Sequence, residues 1–404
     1  MEIRKLTPEE NIVHDGICQT VFFSRNPQDI RKMLENPKEH AEETKDIRWG
    51  AFGKRTKTGL EAGLIVIPYT FRMNGKDVKM AGIGGVTTLP ESRGQGLINK
   101  IMEKAFQDML ESGQTFSFLY PFSHEYYRKL GYELCYTLNE VSFPPERLSH
   151  YPFPAGMEDY EPGDSVAPYA EVYKAFTETR NLAVQRDEAA WQKMLTRDPY
   201  QKFKFAYLHR TENNQPDAYI LYDREAGSHK HINHLVVEEL CWATPEGLKS
   251  ILGFLGKLSA EFKSIRWHPP CDIDIHSMVP EPYDITTKTI CKGMLRLVDV
   301  QKALETLHSP AGSGKVSITV SDQFLTKNAG TYTIQWEEGN LSVKKAQLQP
   351  GADMETTEST LAQLVTGYLT PSQAICKNDT IIHSHLSQLT ALFPKQSLHI
   401  TERF

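Results

Sequence analysis

The sequence lacks several features that mark common classes of protein. No apolar run approaches the roughly 20 residues that a membrane-spanning helix needs, and the polar segment MEIRKLTPEENIVHD lacks the basic-then-apolar pattern of an export signal. The 6 cysteines form no CxxC pair, which favours isolated reduced thiols over a disulfide framework or a zinc site. The formal charge is -6, and no Lys/Arg block offsets it. We therefore expect a soluble cytoplasmic protein with small-molecule or protein partners, and no nucleic acid, membrane or metal.

Two familiar phosphate-binding loops are also missing. The segment SPAGSGKVSITV contains Gly312 and Lys315, but it lacks both the first glycine of a P-loop and the Ser or Thr that would follow the lysine. It also leads into a predicted strand, so we interpret it as an ordinary loop. A GxGxxG segment after a first strand is absent as well. These absences argue against a P-loop nucleotide hydrolase and a dinucleotide-binding dehydrogenase.

Chain length and the order of predicted elements indicate two or three domains, because 404 residues exceed the ~150 typical of one domain. In the first third, the pattern predicts a helix in NIVHDGICQTVFF and two strands joined by a turn at Asn74–Gly75. An amphipathic helix from Leu97 to Leu110, a strand in QTFSFLYPF and a helix in SHEYYRKLGYE follow. This alternation is typical of a mixed α/β domain. The Pro/Gly-rich segment YPFPAGMEDYEPGD predicts its boundary near residue 150.

The middle of the chain repeats part of this order. Strands are predicted in DAYILYD and HINHLVVEELCWA, and a helix begins at the Thr-Pro of TPEGLKSILGFLGKLSAEF. Comparison of VVEELCWATPEGLKSILGFL with IGGVTTLPESRGQGLINKIM indicates a diverged internal repeat, in which Pro-Glu-Gly replaces Arg-Gly-Gln-Gly. From MLRLVDVQKAL onward, short strands and the helical segments STLAQLVTGYL and SHLSQLTALFP predict a third, α+β domain.

The turn RGQG, from Arg93 to Gly96, precedes the amphipathic helix of the first third. A helix N-terminus leaves backbone N–H groups unpaired and carries partial positive charge. Glycines there let the chain wrap closely around an anion, and an arginine at the rim supplies a bidentate charged partner. The turn is therefore a candidate pyrophosphate site. The alternative is a surface turn whose glycines only supply unusual backbone angles.

With a strand before the turn, the pattern of Arg93, Gly96 and Ile98 resembles the acetyl-CoA loop of the Gcn5-related N-acetyltransferases. The whole chain resembles one subgroup of that superfamily, the enhanced intracellular survival (Eis) acetyltransferases. The resemblance implies an α/β and α+β fold of two tandem mixed-sheet domains plus a sterol-carrier-like domain. We expect an active domain at 1–150, an acetyltransferase-like domain without the cofactor loop at 151–293, and the sterol-carrier-like domain at 294–404.

The resemblance also implies the site residues. Val86, Thr87 and Thr88 would pair their backbones with the pantetheine arm of acetyl-CoA, the co-substrate. The pyrophosphate would be held by the turn and the first residues of the helix, namely Arg93, Gly94, Gln95, Gly96, Leu97, Ile98 and Asn99. Phe122 and Ser123 would flank the thioester. Tyr127 would be the general acid, and the terminal carboxylate of Phe404 the general base. The implied partners are an aminoglycoside-like or lysine amine and a homo-hexameric assembly.

The chemistry of amine acetylation is compatible with these two catalytic residues. It needs a deprotonated amine, a polarised thioester and a proton for the departing thiolate. A tyrosine of pKa ~10 can protonate a thiolate whose acid has a pKa of ~8.5. A terminal carboxylate of pKa ~3.5 is a weak base, so Phe404 would act through a water relay or by attracting the cationic substrate. From the residues alone, a core tyrosine and a frayed chain end remain the alternatives.

Other functions stay open on the sequence. The sterol-carrier-like segment allows a lipid or hydrophobic-ligand binding protein with a vestigial transferase site, although the retained RGQG turn argues against it. Transfer from another CoA ester is a third possibility.

Several further signals are assigned structural roles. His229, His231 and His234 lack a metal-ligand spacing, and Asp272, Asp274 and His276 of HPPCDIDIH alternate as one polar face of a strand would. Some aromatic residues, namely Trp49, Phe22, Phe23 and Tyr126, are candidates either for an acceptor cleft or for the core.

Overall fold

The structure is a computed structural model that describes residues 1–22, 27–41, 44–196, 199–200, 204–227 and 233–402. Within these residues the strands form one large mixed sheet of twelve strands, a sheet of five strands and a two-stranded pair. Helices pack against both large sheets. The predicted combination of α/β and α+β domains is therefore confirmed.

The elements predicted for the first segment occur in the predicted order, and further strands and helices accompany them. Its elements are β1 (Glu2–Lys5), α1 (Pro8–Phe22), α2 (Pro27–Glu35), α3 (Pro37–His40), β2 (Ile47–Phe52), β3 (Leu60–Met73), β4 (Lys76–Thr88), α4 (Leu97–Glu111), β5 (Phe116–Leu119), α5 (His124–Arg128) and β6 (Glu133–Phe143). The predicted hairpin is confirmed: Asn74 and Gly75 have φ angles of 49° and 72°, and β3 pairs antiparallel with β4. Positive φ at both turn positions matches the right-handed twist of the strands.

The middle segment contains the predicted repeat. Its elements are β7 (Met157–Asp159), α6 (Ala167–Thr177), β8 (Arg180–Asn181), α7 (Glu188–Leu195), β9 (Lys204–Arg210), β10 (Pro216–Ala226), β11 (Asn233–Trp242), α8 (Pro245–Lys257), β12 (Ser264–Trp267) and β13 (Thr286–Leu297). β11 is followed by α8 and pairs in parallel with β12, just as β4 is followed by α4 and pairs in parallel with β5. The two segments thus share one strand–helix–strand unit.

The last segment forms the five-stranded sheet and its helices. Its elements are α9 (Val300–Leu304), β14 (Ser313–Ser321), β15 (Gly330–Glu337), β16 (Asn340–Ala346), β17 (Met354–Thr357), α10 (Glu358–Val365), α11 (Pro371–Ala374), β18 (Ile381–Ile382), α12 (Leu386–Leu392) and β19 (Ser397–Leu398). Its core continues onto the first segment, because Trp336 shares a buried cluster with Met80. Ala81, the next residue of β4, belongs instead to the cluster beneath α4. Successive strand residues point to opposite faces, so α4 and the last segment cover opposite faces of one sheet.

The strand β13 joins the first and middle segments. It lies between β5 and β6, pairing through Met294–Leu297 with β5 and over most of its length with β6. A strand from the end of the middle segment therefore completes the sheet of the first. The strand also runs across the predicted domain boundary between residues 293 and 294. Sequence patterns that indicate single helices and strands do not reveal such a long-range pairing.

A buried charge cluster fixes the last segment against the first. The Arg296 guanidinium, at the end of β13, binds both oxygens of Asp322 at 2.9 and 2.8 Å and lies 3.3 Å from Glu358 Oε1. It also donates to the carbonyl of Leu130 at 2.6 Å. Gly131, with φ of 80°, leaves no room for a side chain beside the guanidinium. One cation is thus shared by two carboxylates and by the turn that follows α5.

The Glu358 carboxyl makes the stability of this cluster depend on pH. Burial and the neighbouring Asp322 charge raise its pKa to about 7 from 4.5. Because the folded pKa exceeds the unfolded pKa, this group stabilises the fold most below pH ~4.5 and loses that contribution as pH rises through ~7. A shift of this size corresponds to about 3 kcal/mol.

We expect Glu358→Gln to remove the loss of folding stability that accompanies ionisation of this carboxyl group at higher pH. The melting temperature of the variant should match wild type near pH 5 and exceed it at pH 8, because no carboxylate then has to ionise in the interior. Thermal melts at the two pH values measure the difference. Glu337→Gln, an exposed change on β15, is the control. A difference between Glu358→Gln and wild type that stays constant from pH 5 to pH 8 would contradict the assignment.

The polar strand predicted for HPPCDIDIH is wrong: residues 271–276 form a turn that leads into a 3-10 helix at Ile275–Met278. Asp272 pairs with Arg180 there, and Asp274 caps the short helix through the backbone N–H of His276. Side-chain bonding to the backbone competes with strand formation in this way. Across the described ranges, no helix has the length and apolar character required to cross a membrane.

Candidate active site

The end of β4 forms an irregular edge beside β5. The parallel pairing of the two strands covers Met80–Ile83 of β4 and Phe116–Leu119 of β5. On its other side β4 pairs with β3, but Gly84 lies opposite Ile65 and Thr87 lies opposite Gly63. An extra residue therefore bulges out of β4, and Gly85 there has φ of 55°. Past Ile83 the two strands separate, and the backbone edge of β4 becomes available to an extended ligand.

A buried histidine holds this bulge from below. Nε2 of His14, on α1, lies 3.0 Å from the carbonyl oxygen of Gly85 and 3.2 Å from Oγ1 of Thr87. Burial and the charge of Arg48 lower the pKa of His14 to about 4, so the imidazole is neutral near pH 7. Gly63 must remain a glycine beside it, since a Cβ there would lie 2.7 Å from the ring. The His14 ring thus fixes the β4 backbone, which the resemblance assigns to contact with the pantetheine arm.

The turn RGQG leaves the start of α4 uncapped. Gly94 and Gly96 have φ angles of 77° and 66°, and a Cβ added to either would meet no protein atom within 4 Å. The glycines are therefore required by their backbone angles, and the space outside them is open. Gly96 is the N-cap residue, and no side chain caps the helix. Arg93 is exposed at the rim, with Nε 3.4 Å from the carbonyl oxygen of Thr88.

The corresponding helix of the middle segment is capped by its own chain. The hydroxyl of Thr244 accepts a hydrogen bond from the N–H of Gly247 at 3.0 Å, and Pro245 occupies the first turn. A proline lacks a backbone N–H, and the threonine satisfies another donor. Only the first of the two repeated helices therefore presents free donors and a positive end to an anion.

Tyr127 lies on the short helix α5, in an aromatic cluster. Its ring contacts Phe122, Tyr126 and Tyr132 at centroid distances of 5.4, 5.2 and 6.0 Å. Burial and the two neighbouring tyrosines raise the pKa of Tyr127 above its usual value of 10. Among the described residues, its hydroxyl has no hydrogen-bond partner. Tyr127 is thus held by packing as a neutral hydroxyl donor.

The other predicted residues at this end of β5 have distinct positions. Phe122 is 67% exposed and forms the outer side of the aromatic cluster. Ser123 is the N-cap of α5 and accepts a hydrogen bond from the N–H of Tyr126 at 3.3 Å. Leu97 and Ile98 share one buried cluster with Tyr127, and Val86 packs against it. The structure therefore brings the β4 edge, the α4 turn and Tyr127 together.

Phe404 lies outside the described residues, so its catalytic role stays a prediction. The last described residue, Glu402, accepts a hydrogen bond through its carbonyl oxygen from the hydroxyl of Tyr120 at 2.7 Å. Tyr120 directly follows β5 and precedes Phe122 by two positions. The segment leading to Phe404 consequently reaches the end of β5.

A large cleft opens beside this segment. Its volume is about 1110 Å³, and residues from β3, α7 and the chain's last segment line it. Its ionisable residues are Lys45, Asp46, Tyr69, Asp77, Arg186, Asp187, Lys193, Lys204, Glu238 and Glu402. Burial together with the charges of Glu402 and Asp46 raises the pKa of Tyr69 to about 12. This volume exceeds what one small molecule of drug size fills.

The bulged, splayed β4 and the uncapped helix behind RGQG suit a ligand that combines a phosphate with an extended arm, as the resemblance to the acetyltransferases implies. Family comparisons agree: residues 2–135 match an acetyltransferase (GNAT) domain, residues 182–297 match a second acetyltransferase (GNAT) domain, and residues 300–400 match a sterol carrier protein domain. The chain therefore contains two GNAT domains followed by a sterol carrier protein domain, and it is an acetyltransferase-type enzyme.

Solved structures share this fold over the whole chain. A GCN5-related N-acetyltransferase from Anabaena variabilis is 21% identical, with 100% of each chain covered and a TM-score of 0.84. A probable N-acyltransferase from Enterococcus faecalis is 21% identical, with 98% of this chain and 97% of that chain covered and a TM-score of 0.81. Eis1 from Mycobacterium abscessus is 18% identical, with 100% of each chain covered and a TM-score of 0.79. No curated protein sequence matches the chain.

Sequence reasoning missed some residues around the site and misplaced others. His14 and the buried pair of Arg186 and Glu239 were not anticipated, although two consecutive glutamates in the apolar strand HLVVEELCW are an unusual signal. Trp49 packs in the core beneath α4, and Phe22 is exposed on α1. Other candidates fall outside the described residues, namely Phe23, His229 and His231. His234 bonds to Ser264 at 2.8 Å, and no metal-binding group is found in the part of the chain that the structure describes.

Proposed function

We propose that the protein is an acetyl-CoA-dependent N-acetyltransferase of the Eis type, which transfers an acetyl group to a primary amine of a cationic acceptor. The observation that carries the proposal is the uncapped start of α4, with Gly94 and Gly96 at positive φ, directly beyond the splayed edge of β4. The residues fit acetyl-CoA: backbone donors for the pyrophosphate, Arg93 at the rim, and the strand edge at Val86–Thr88 for the pantetheine arm.

In the proposed reaction, the acceptor nitrogen attacks the thioester carbonyl, the new C–N bond forms and the C–S bond breaks. Backbone N–H groups at the bulge of β4 stabilise the negative charge that develops on the carbonyl oxygen. The Tyr127 hydroxyl donates its proton to the departing thiolate. The acceptor ammonium loses two protons, to solvent or to a water held by the Phe404 carboxylate, and one proton from solvent restores the Tyr127 hydroxyl. The chain's own residues thus orient the ester and supply one proton.

The proposed acceptor site is the 1110 Å³ cleft, and the proposed acceptor class is an aminoglycoside-like molecule or a lysine side chain. An aminoglycoside-like molecule carries several cations, and a lysine side chain presents one cation on a flexible arm. Five carboxylates and four cations line this cleft, so one negative charge in excess remains to attract such a substrate. A polycation also needs a site larger than a single small amine requires.

A screen of amines with acetyl-CoA, read out as release of free thiol, tests the proposed function. We expect turnover with polyamines and aminoglycosides, and little with neutral amino compounds. Isothermal titration with acetyl-CoA should show one saturable site. The absence of saturable binding would favour the alternative of a lipid-binding protein. The cavity at Leu307, Leu364 and Phe393, against the sterol carrier domain, holds only about 70 Å³, too small for a lipid chain.

Replacing Arg93 by alanine should raise the KM for acetyl-CoA roughly tenfold and leave kcat nearly unchanged, because a charge-assisted bond at the rim contributes ~1.5 kcal/mol to binding. Steady-state kinetics at saturating amine measure the change. Lys104→Ala, an exposed cation further along α4, is the matched control. A selective fall in kcat for Arg93→Ala would contradict a role in cofactor binding.

The assembly and location are part of the same proposal. Resemblance to the Eis enzymes supports a homo-hexamer in the cytoplasm, and light scattering coupled to size-exclusion chromatography tests the assembly. A monomer or dimer at micromolar concentration would rule the hexamer out.

A further inference from the structure

The middle GNAT domain has its own strand gap, at the position that corresponds to the thioester site of the first domain. β11 and β12 pair in parallel over His234–Val236 and Ser264–Arg266. Directly beyond this pairing, β11 bulges at Glu238, because Tyr222 lies opposite Val237 while Leu221 lies opposite Glu239. In β4 the bulge likewise begins two residues past the last parallel pair. The two gaps are therefore equivalent places in a repeated unit.

The chain's last described residues occupy this second gap. A cavity of about 280 Å³ remains there, and its walls come from β11, from the segment after β12 and from the residues His399, Ile400, Thr401 and Glu402. The backbone also anchors these residues: β19 pairs in parallel with β8, and the N–H of His399 donates to the carbonyl of Asn181 at 2.9 Å. We call residues 399–402 the tail and the gap that they occupy the tail socket.

An ionic network fixes the tail inside its socket. The Arg186 guanidinium, only 4% exposed, binds Glu239 through both terminal nitrogens at 2.8 and 2.7 Å. The same guanidinium donates to Glu402 at 2.7 Å and to Thr401 at 2.9 Å. Thr401 in turn donates to Glu239 at 2.5 Å. Rings of Tyr173 and Trp191 lie 4.1 and 4.8 Å from the guanidinium carbon.

The electrostatics keep this network charged. Although burial opposes ionisation, the Arg186 charge lowers the pKa of Glu239 to about 2. Burial also lowers the pKa of His399 to about 4, so that the imidazole beside Glu239 stays neutral near pH 7. Removing one member of such a buried network leaves the others without compensation.

We propose that the middle GNAT domain serves as a binding socket for the tail, and that Arg186 and Glu239 are positioning residues for acetyl transfer in the first domain. The inference rests on the proposed function. The tail bridges the two sites, because Glu402 binds Arg186 through its carboxylate and Tyr120 through its carbonyl oxygen. In the middle domain Thr244 caps the helix start, and the strand gap holds the tail of the same chain. The tail thereby places the residues that lead to Phe404 beside β5.

The test replaces Arg186 by methionine in the full-length chain and measures the tail and the reaction separately. Hydrogen–deuterium exchange should show the amides of residues 398–402 losing protection in the variant. In steady-state kinetics, kcat should fall at least tenfold while the KM for acetyl-CoA stays within about twofold of wild type. Arg210→Met removes a surface pair with Glu158 in the same domain and is the matched control.

A second variant covers the case in which Arg186→Met fails to fold. Thr401→Val keeps the side-chain shape but removes two hydrogen bonds from the network. The tail amides should therefore exchange hydrogen for deuterium faster, while exchange in the rest of the chain stays unchanged. Undiminished protection of the tail in the folded variants would overturn the socket. A released tail with normal kcat would overturn the positioning role. If wild type transfers no acetyl group, the proposed function fails, and the exchange data still decide whether the socket holds the tail.

Discussion

Replacing Tyr127 by phenylalanine is expected to lower kcat for acetyl transfer roughly 100-fold to 10,000-fold, which is the usual contribution of a general acid. The substitution keeps the ring that packs against Phe122 and Tyr132, so the aromatic cluster should survive. It removes only the hydroxyl that would protonate the thiolate. Because burial raises the pKa of Tyr127, the donor stays protonated and kcat should show no alkaline fall below pH ~10 from this residue.

Steady-state rates at saturating acetyl-CoA and amine give the measurement, and Tyr126→Phe is the matched control. Tyr126 belongs to the same cluster and also contacts Phe122, but its hydroxyl is assigned no proton transfer. We expect the control to retain most of its turnover and the affinity of both variants for acetyl-CoA to be preserved. If Tyr127→Phe turns over within a few-fold of wild type, another group supplies the proton.

The second large effect concerns stability. Arg296→Leu should lower the free energy of unfolding by about 3–5 kcal/mol, because it leaves the buried carboxylate of Asp322 without a cation. It also removes the donor to the carbonyl of Leu130, in the turn that follows Tyr127. The variant should therefore lose catalytic rate along with stability, even though Arg296 contacts no proposed ligand.

Chemical denaturation followed by fluorescence measures this change, with Arg147→Leu as the control. Arg147 pairs with Asp284 on the surface, where one ion pair contributes about 0–1 kcal/mol. A double variant, Arg296→Leu with Asp322→Leu, should regain part of the loss because only Glu358, whose pKa burial raises, then remains beside the arginine site. Equal losses for Arg296→Leu and Arg147→Leu would show that the buried cluster contributes little.

Local chemistry made much of the fold predictable. Asn74–Gly75 specifies its turn through backbone angles, and RGQG specifies an uncapped helix start in the same way. The internal repeat was visible because both copies retain strand, helix and parallel strand. Tyr127 needed the resemblance, since a tyrosine in EYYRKLGY has the same sequence pattern whether it packs or reacts. The structure adds that its ring is packed while its hydroxyl has no partner among the described residues.

Long-range pairings could not be predicted from these patterns. The place of β13 between β5 and β6 depends on residues more than a hundred positions apart, and no periodicity encodes it. The same applies to Arg186, whose partners Glu239 and Glu402 lie 53 and 216 positions away. The wrong strand at HPPCDIDIH has a different origin: alternation of polar residues also fits a turn when aspartates cap the backbone.

The insertion of β13 sets an order in which the chain can fold. During synthesis β5 and β6 emerge early, but the strand that separates them emerges only after residue 286. Until then their edges are exposed, and strand edges of this kind pair with other chains. A fragment that ends near residue 150 should therefore aggregate, whereas a chain that extends through Leu297 can close the sheet. The first GNAT domain is encoded at the start of the sequence but is completed only when three quarters of the chain has been made.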